Sequence, residues 1–207
     1  REKVFEHIKA IQLPYSIVDV GWWYQGSLPW LPSGKIDYAL QFKKTHIAGD
    51  GTVPNVMTDK RDIGKYISRI IQDDRTRNRF VLAYSECWTT NEIYSLMEKL
   101  SGEKLPRTYV PEGEIRNRLD AAKKTLATDA SNAGAIWGKI ASEYELCNHI
   151  RGDNTPESAK SLGYLTSKEL YPDFQPRRFE DLVQEVLDGR MTPLYQSNDR
   201  LQALMKK

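Results

Sequence analysis

The stretch Glu2-Lys3-Val4-Phe5-Glu6-His7-Ile8-Lys9-Ala10-Ile11-Gln12-Leu13-Pro14-Tyr15-Ser16-Ile17-Val18-Asp19-Val20-Gly21 decides the fold. Val4, Ile8 and Ile11 recur at helical spacing, which predicts an amphipathic helix over residues 1–11 with a face that packs on a neighbour. After Leu13-Pro14-Tyr15, the run from Ser16 to Val20 reads as a buried parallel strand, and Gly21 ends it. Helix followed by buried strand is the rhythm of an α/β protein, in which ligands sit beyond the carboxyl ends of the strands. Gly21-Trp22-Trp23-Tyr24-Gln25-Gly26 therefore falls where a pocket wall is expected. Its aromatic residues suit either of two uses, stacking on a ligand ring or packing inward as core.

Working outward, strands and helices alternate. Thr45–Ala48 reads as a strand closed by Gly49-Asp50-Gly51, and Asn55–Thr58 as another. Asp59 caps a helix expected to carry Ile63, Ile67, Ile70 and Ile71 on one face. Arg79–Tyr84 is a strand, after which Thr89 and Glu92 form a capping-box pattern for a helix striped by Ile93, Leu96, Met97 and Leu100 and stopped by Gly102. Thr108–Val110 makes a further short strand. Beyond Glu112 the pattern is helical, through Ile115 and Leu119, then Ile136, Ile140 and Tyr144, and last Phe179 to Leu187. Residues 1–188 read as one α/β body and 189–207 as a polar tail. Without an initiator Met, and opening inside a core-facing helix, the chain is expected to be a fragment lacking an upstream part.

The composition narrows the function classes. A 40% hydrophobic content suffices for a core, and a formal charge of +2 offers no nucleic-acid footprint. No apolar run approaches the length that crosses a membrane. Cys87 and Cys147 suggest neither a disulfide framework nor a zinc site, so both are expected as small buried residues in a cytoplasmic protein. His7, His46 and His149 lack metal-site spacing, so no metal is expected. The sequence holds no GxxxxGK[ST] or complete GxGxxG loop, and no GxSxG elbow surrounds any serine.

Four segments carry a resemblance to a known family. Residues 2–18 with their Pro14-Tyr15 strand start, Gly49-Asp50-Gly51 with Asp62-Ile63-Gly64, Thr108-Tyr109-Val110-Pro111-Glu112, and Gly152-Asp153-Asn154-Thr155 with Leu170-Tyr171-Pro172-Asp173 resemble, in order, segments of the NmrA-like, isoflavone-reductase-like group of atypical short-chain dehydrogenases. The resemblance implies the C-terminal part of a Rossmann-type NAD(P)-binding fold plus its smaller α/β substrate domain. It implies NADP, held mainly by an N-terminal half, and a reductase acting on small aromatic substrates such as phenolic secondary metabolites. A dinucleotide-sensing regulator without turnover is the alternative, and a homodimer is one assembly the family reading allows. The family's proton-transferring lysine falls on Arg1, which cannot give up a proton, so Lys3 is the catalytic candidate. Arg1, Val20, Gly21 and Trp22 are implied on the cofactor side, and Trp22, Trp23 and Tyr24 on the substrate side.

Overall fold

The computed structural model describes residues 2–41 and 45–192, so Arg1 and nearly all of the expected tail lie outside the described residues. Helix α1 (Glu2–Ala10) leads into strand β1 (Ser16–Asp19), as the opening stretch requires. Its packing face differs from expectation, because Val4 and Ile11 are exposed. Phe5 makes the contact instead, meeting Phe80 edge-on at 5.9 Å.

Three small sheets organise the described residues. In the first, β1, β5 (Arg79–Leu82) and β8 (Leu165–Thr166) run parallel in that order, with Ser16 opposite Arg79 and Val81 opposite Leu165. The second places β4 (Pro54–Thr58) between β2 (Trp22–Trp23), parallel to it, and β6 (Glu86–Thr89), antiparallel. The third pairs β3 (Ile47–Ala48) with β7 (Tyr109–Val110) in parallel. This is the expected mixed α/β architecture.

The helices follow their local signals. Asp59 accepts from the Arg61 backbone N–H and caps α2 (Lys60–Ile70). The reciprocal bonds of Thr89 and Glu92 start α3 (Thr90–Ser101), and left-handed Gly102 ends it. Helices α4 (Glu112–Thr128) and α5 (Ala133–Glu145) pack together, with Gly138 of α5 close to Ala122 of α4. A π-type turn, Leu146–Ile150, continues α5. Short helices α6 (Pro156–Ser161) and α7 (Ser167–Leu170) precede α8 (Phe179–Leu187), whose Phe179, Leu182, Val183 and Val186 are buried as expected.

Two expectations are corrected. Ile67 and Ile71 are exposed, and the buried face of α2 is Asp62, Tyr66 and Ile70. A charged residue can sit inward because its carboxylate accepts from the Arg177 backbone N–H at 2.7 Å and the Lys65 ammonium at 2.8 Å, while the Tyr66 hydroxyl donates to the Tyr84 carbonyl. Neither cysteine is buried: Cys87 is exposed and Cys147 half-buried. Cys87 lies between Glu86 and Trp88 on a strand, where alternation sends it to the opposite face.

The backbone turns at Gly21 with φ of 62°, in the left-handed region, and a Cβ there would lie 2.4 Å from the Val56 carbonyl oxygen. Gly21→Ala therefore combines backbone strain with a clash against central strand β4. A loss of at least about 2 kcal/mol in urea unfolding is expected.

Candidate functional site

Strand register builds one wall of a cleft. On β4, Asn55 and Met57 share a face, and the pairing sets Met57 beside Trp22 of β2 and Asn55 beside Trp88 of β6. All four line a shallow cleft open to solvent, which His46, Thr90, Ile93, Tyr94 and His149 help to border. The opposite face of β4 is structural. Val56 joins an apolar cluster with Leu82 and Ala159, and the Thr58 hydroxyl engages the Val20 and Ala83 carbonyls.

Three ordered hydrogen-bond systems support the wall. One oxygen of the Glu86 carboxylate accepts from the Tyr24 hydroxyl, the Trp88 indole N–H and the Phe179 backbone N–H, each at 2.9 Å. The second runs through Asn154, whose amide donates to Asn55 Oδ1 at 3.1 Å and to the Val56 carbonyl at 3.2 Å. Asn55 Oδ1 is thus an acceptor, and its amide Nδ2 faces His149 Nδ1 at 3.4 Å. That contact makes His149 Nδ1 the accepting nitrogen. In the third, His46 Nε2 meets Glu145 Oε1 at 2.7 Å and Arg118 holds the other oxygen at 2.9 Å.

The aromatic triplet separates. Trp22 lines the cleft and meets Tyr144 of α5 with ring centroids 5.5 Å apart. Trp23, next along the strand, is 37% exposed and is not among the lining residues, because adjacent strand residues face opposite ways. Tyr24 is completely buried, its ring tilted against Phe179 with centroids 5.0 Å apart, and burial followed by the Glu86 charge drives its phenol pKa far up. It belongs to the core and is not among the residues that line this cleft. Gln25 anchors the segment by donating to Asp59 at 2.9 Å. Burial opposes ionisation of Asp59, but the bonds from Arg61 and Gln25 outweigh it, holding the carboxyl below its ordinary range.

None of the remaining expected residues that are described lines this cleft. Lys3 is exposed on α1 and does not line it, and Arg1 is outside the described residues. The Val20 carbonyl is taken by Thr58, and packing on Val56 accounts for the missing side chain at Gly21. Sequence reasoning did not single out His46, Asn55, Trp88, Tyr94 or His149 as cleft residues. Period-2 alternation around Met57 was the one signal that could have joined Asn55 to the wall.

The NmrA-like family profile matches residues 3–181. The chain belongs to the NmrA-like family. It is 44% identical over 91% of its length to asnovolin J 5′,6′-dehydrogenase of Aspergillus novofumigatus, of which it covers 58%. With an isoflavone reductase-like protein of Olea europaea it shares 25% identity over 89% of its length and 56% of the relative. Among solved structures, a leucoanthocyanidin reductase–NADPH complex from Vitis vinifera superimposes with a TM-score of 0.67 at 21% identity, over 90% of this chain and 59% of that one. The chain thus spans a little over half the length of these relatives.

Glu86 is the fastener most exposed to test. Glu86→Gln removes the charge that three donors share, and hydrogen bonds to charged groups contribute about 1.5–3 kcal/mol. A loss of about 2–3 kcal/mol in urea unfolding is expected, with a shift in tryptophan emission as Trp88 loosens.

Proposed function

We propose that the intact protein is an NADP-dependent oxidoreductase acting on aromatic or similarly ringed secondary metabolites, with the cleft beside Trp22 as its substrate wall. The observation that carries this reading is the row Trp22–Met57 flanked by Asn55 and Trp88, which presents flat apolar surface and polar groups on one face. Such a mixture is what orients a ring-bearing ligand. The 44% identical relative named as a dehydrogenase, and the reductases among the other relatives, support hydride chemistry. NADP supplies the hydride chemistry when bound, and we assign its grip mainly to residues outside this stretch, with Arg1, Val20, Gly21 and Trp22 on the cofactor side. The proposed cytoplasmic location rests on cysteine usage alone.

In this reading Trp22 stacks on the substrate ring. Trp23 and Tyr24 act on the substrate side only indirectly, by fixing the segment that carries Trp22. Lys3, exposed on α1 and outside the cleft lining, is proposed as proton carrier for the part of the ligand that extends beyond the cleft. The assay follows nicotinamide absorbance with phenolic ethers, ketones and cyclic alcohols in both directions. Turnover is expected, and Trp22→Ala should raise KM on the order of tenfold, the equivalent of about 1.4 kcal/mol of lost stacking. Tight NADPH binding without turnover on any substrate would remove the enzyme reading in favour of a dinucleotide-sensing regulator. Unchanged rates in Lys3→Ala would return that residue to the solvent face.

A further inference from the structure

We infer that His46 is the residue that recognises a hydroxyl group on the ligand of this cleft, with Glu145 as its positioning residue. The inference rests on reading the cleft as the substrate site. Three observations support it. His46 lines the cleft beside Trp22 and Asn55 while its side chain remains 29% exposed, so a ligand can reach it. Its Nε2 lies 2.7 Å from Glu145 Oε1. A carboxylate can only accept, so that nitrogen carries the proton and, in the neutral ring, Nδ1 carries the lone pair.

The arrangement holds His46 by groups from two helices. His46 immediately precedes β3, Glu145 closes α5, and Arg118 of α4 fixes the second Glu145 oxygen at 2.9 Å. The carboxylate is only 18% exposed, which keeps its orientation from being exchanged for water. Among the described residues, Nδ1 has no hydrogen-bond partner. An acceptor on a residue that lines the same cleft as the Trp22 and Trp88 indoles fits an alcohol or phenol on a flat apolar ring. It does not fit the corresponding methyl ether, which has no proton to donate.

The experiment compares 4-propylphenol with 4-propylanisole on the intact protein without cofactor, by titration with NMR detection of the tryptophan and histidine side chains. The His46 ring should show protonated Nε2 and unprotonated Nδ1. The Nδ1 resonance should move with the phenol and not with the ether. The phenol should bind about tenfold more tightly, roughly one hydrogen bond's worth. His46→Phe should bring the ratio near one, with His46→Ala as the second variant should the larger ring not be accommodated. Glu145→Gln should leave both probes binding while shifting the tautomer balance.

A protonated Nδ1, equal affinity of the two probes for the unaltered protein, or a preference surviving in both His46 variants would overturn the assignment. If neither probe perturbs Trp22 or Trp88, the reading of the cleft as a substrate site fails as well. Equal binding of both probes within the cleft removes the hydroxyl assignment alone.

Discussion

The Glu86 carboxylate is the interaction on which the site depends. Its three donors come from the turn after β2, from β6 itself and from the first residue of α8. Helix α8 has no side-chain cap of its own at Arg178, so a carboxylate from another element satisfies its leading N–H and complements the helix dipole. One side chain thus closes the core at Tyr24 and Phe179 and fixes the indole of Trp88 over the cleft. A neutral side chain could bridge these elements, but without charge-assisted bonds.

From that anchor, the wall is a consequence of register. Once β4 lies between β2 and β6, alternation leaves no choice about which side chains share a face. Trp22, Asn55, Met57 and Trp88 go to the cleft, while Trp23, Val56, Thr58 and Cys87 go to the other side. Tyr24 falls just past the strand, in a 3-10 turn, and turns into the core. The neighbouring helix extends the apolar surface. Tyr144 touches Trp22, and Ile140 and Trp137 lie along the same helix with their side chains partly in solvent.

Much of the fold was legible because its signals are local. A cap at Asp59, a capping box at Thr89 and Glu92, a left-handed stop at Gly102 and the apolar stripe of α8 each act within a few residues. What was not legible depends on partners distant in sequence. Ile67 and Ile71 look like a core stripe, yet Asp62 takes the inward position because Arg177, far along the chain, supplies its N–H. Strands as short as β2 and β8 carry too little pattern to announce themselves and exist through their pairing. The cleft was hidden for the same reason. His46 acquires its orientation from Glu145 and Arg118, and His149 from Asn55, none of which spacing alone connects.

The motifs that carry the family resemblance are fasteners, not cleft chemistry. Gly51 of the Gly-Asp-Gly segment has φ of 73° and no room for a side chain, since a Cβ would meet Asn91 at 2.6 Å. Asp62 of the Asp-Ile-Gly segment is the buried acceptor of α2, Val110 pairs with Ala48, and Asp173 of the Leu-Tyr-Pro-Asp segment receives both bonds of the Arg69 guanidinium. Asn154 of the Gly-Asp-Asn segment is the exception, because it orients Asn55 at the cleft edge. His46, Trp88 and His149 lie outside these segments. A sequence can therefore keep the fasteners, and with them the fold and family membership, while exchanging the residues that meet a ligand. Membership speaks for the scaffold, and the chemistry of the cleft has to be argued from the side chains that line it.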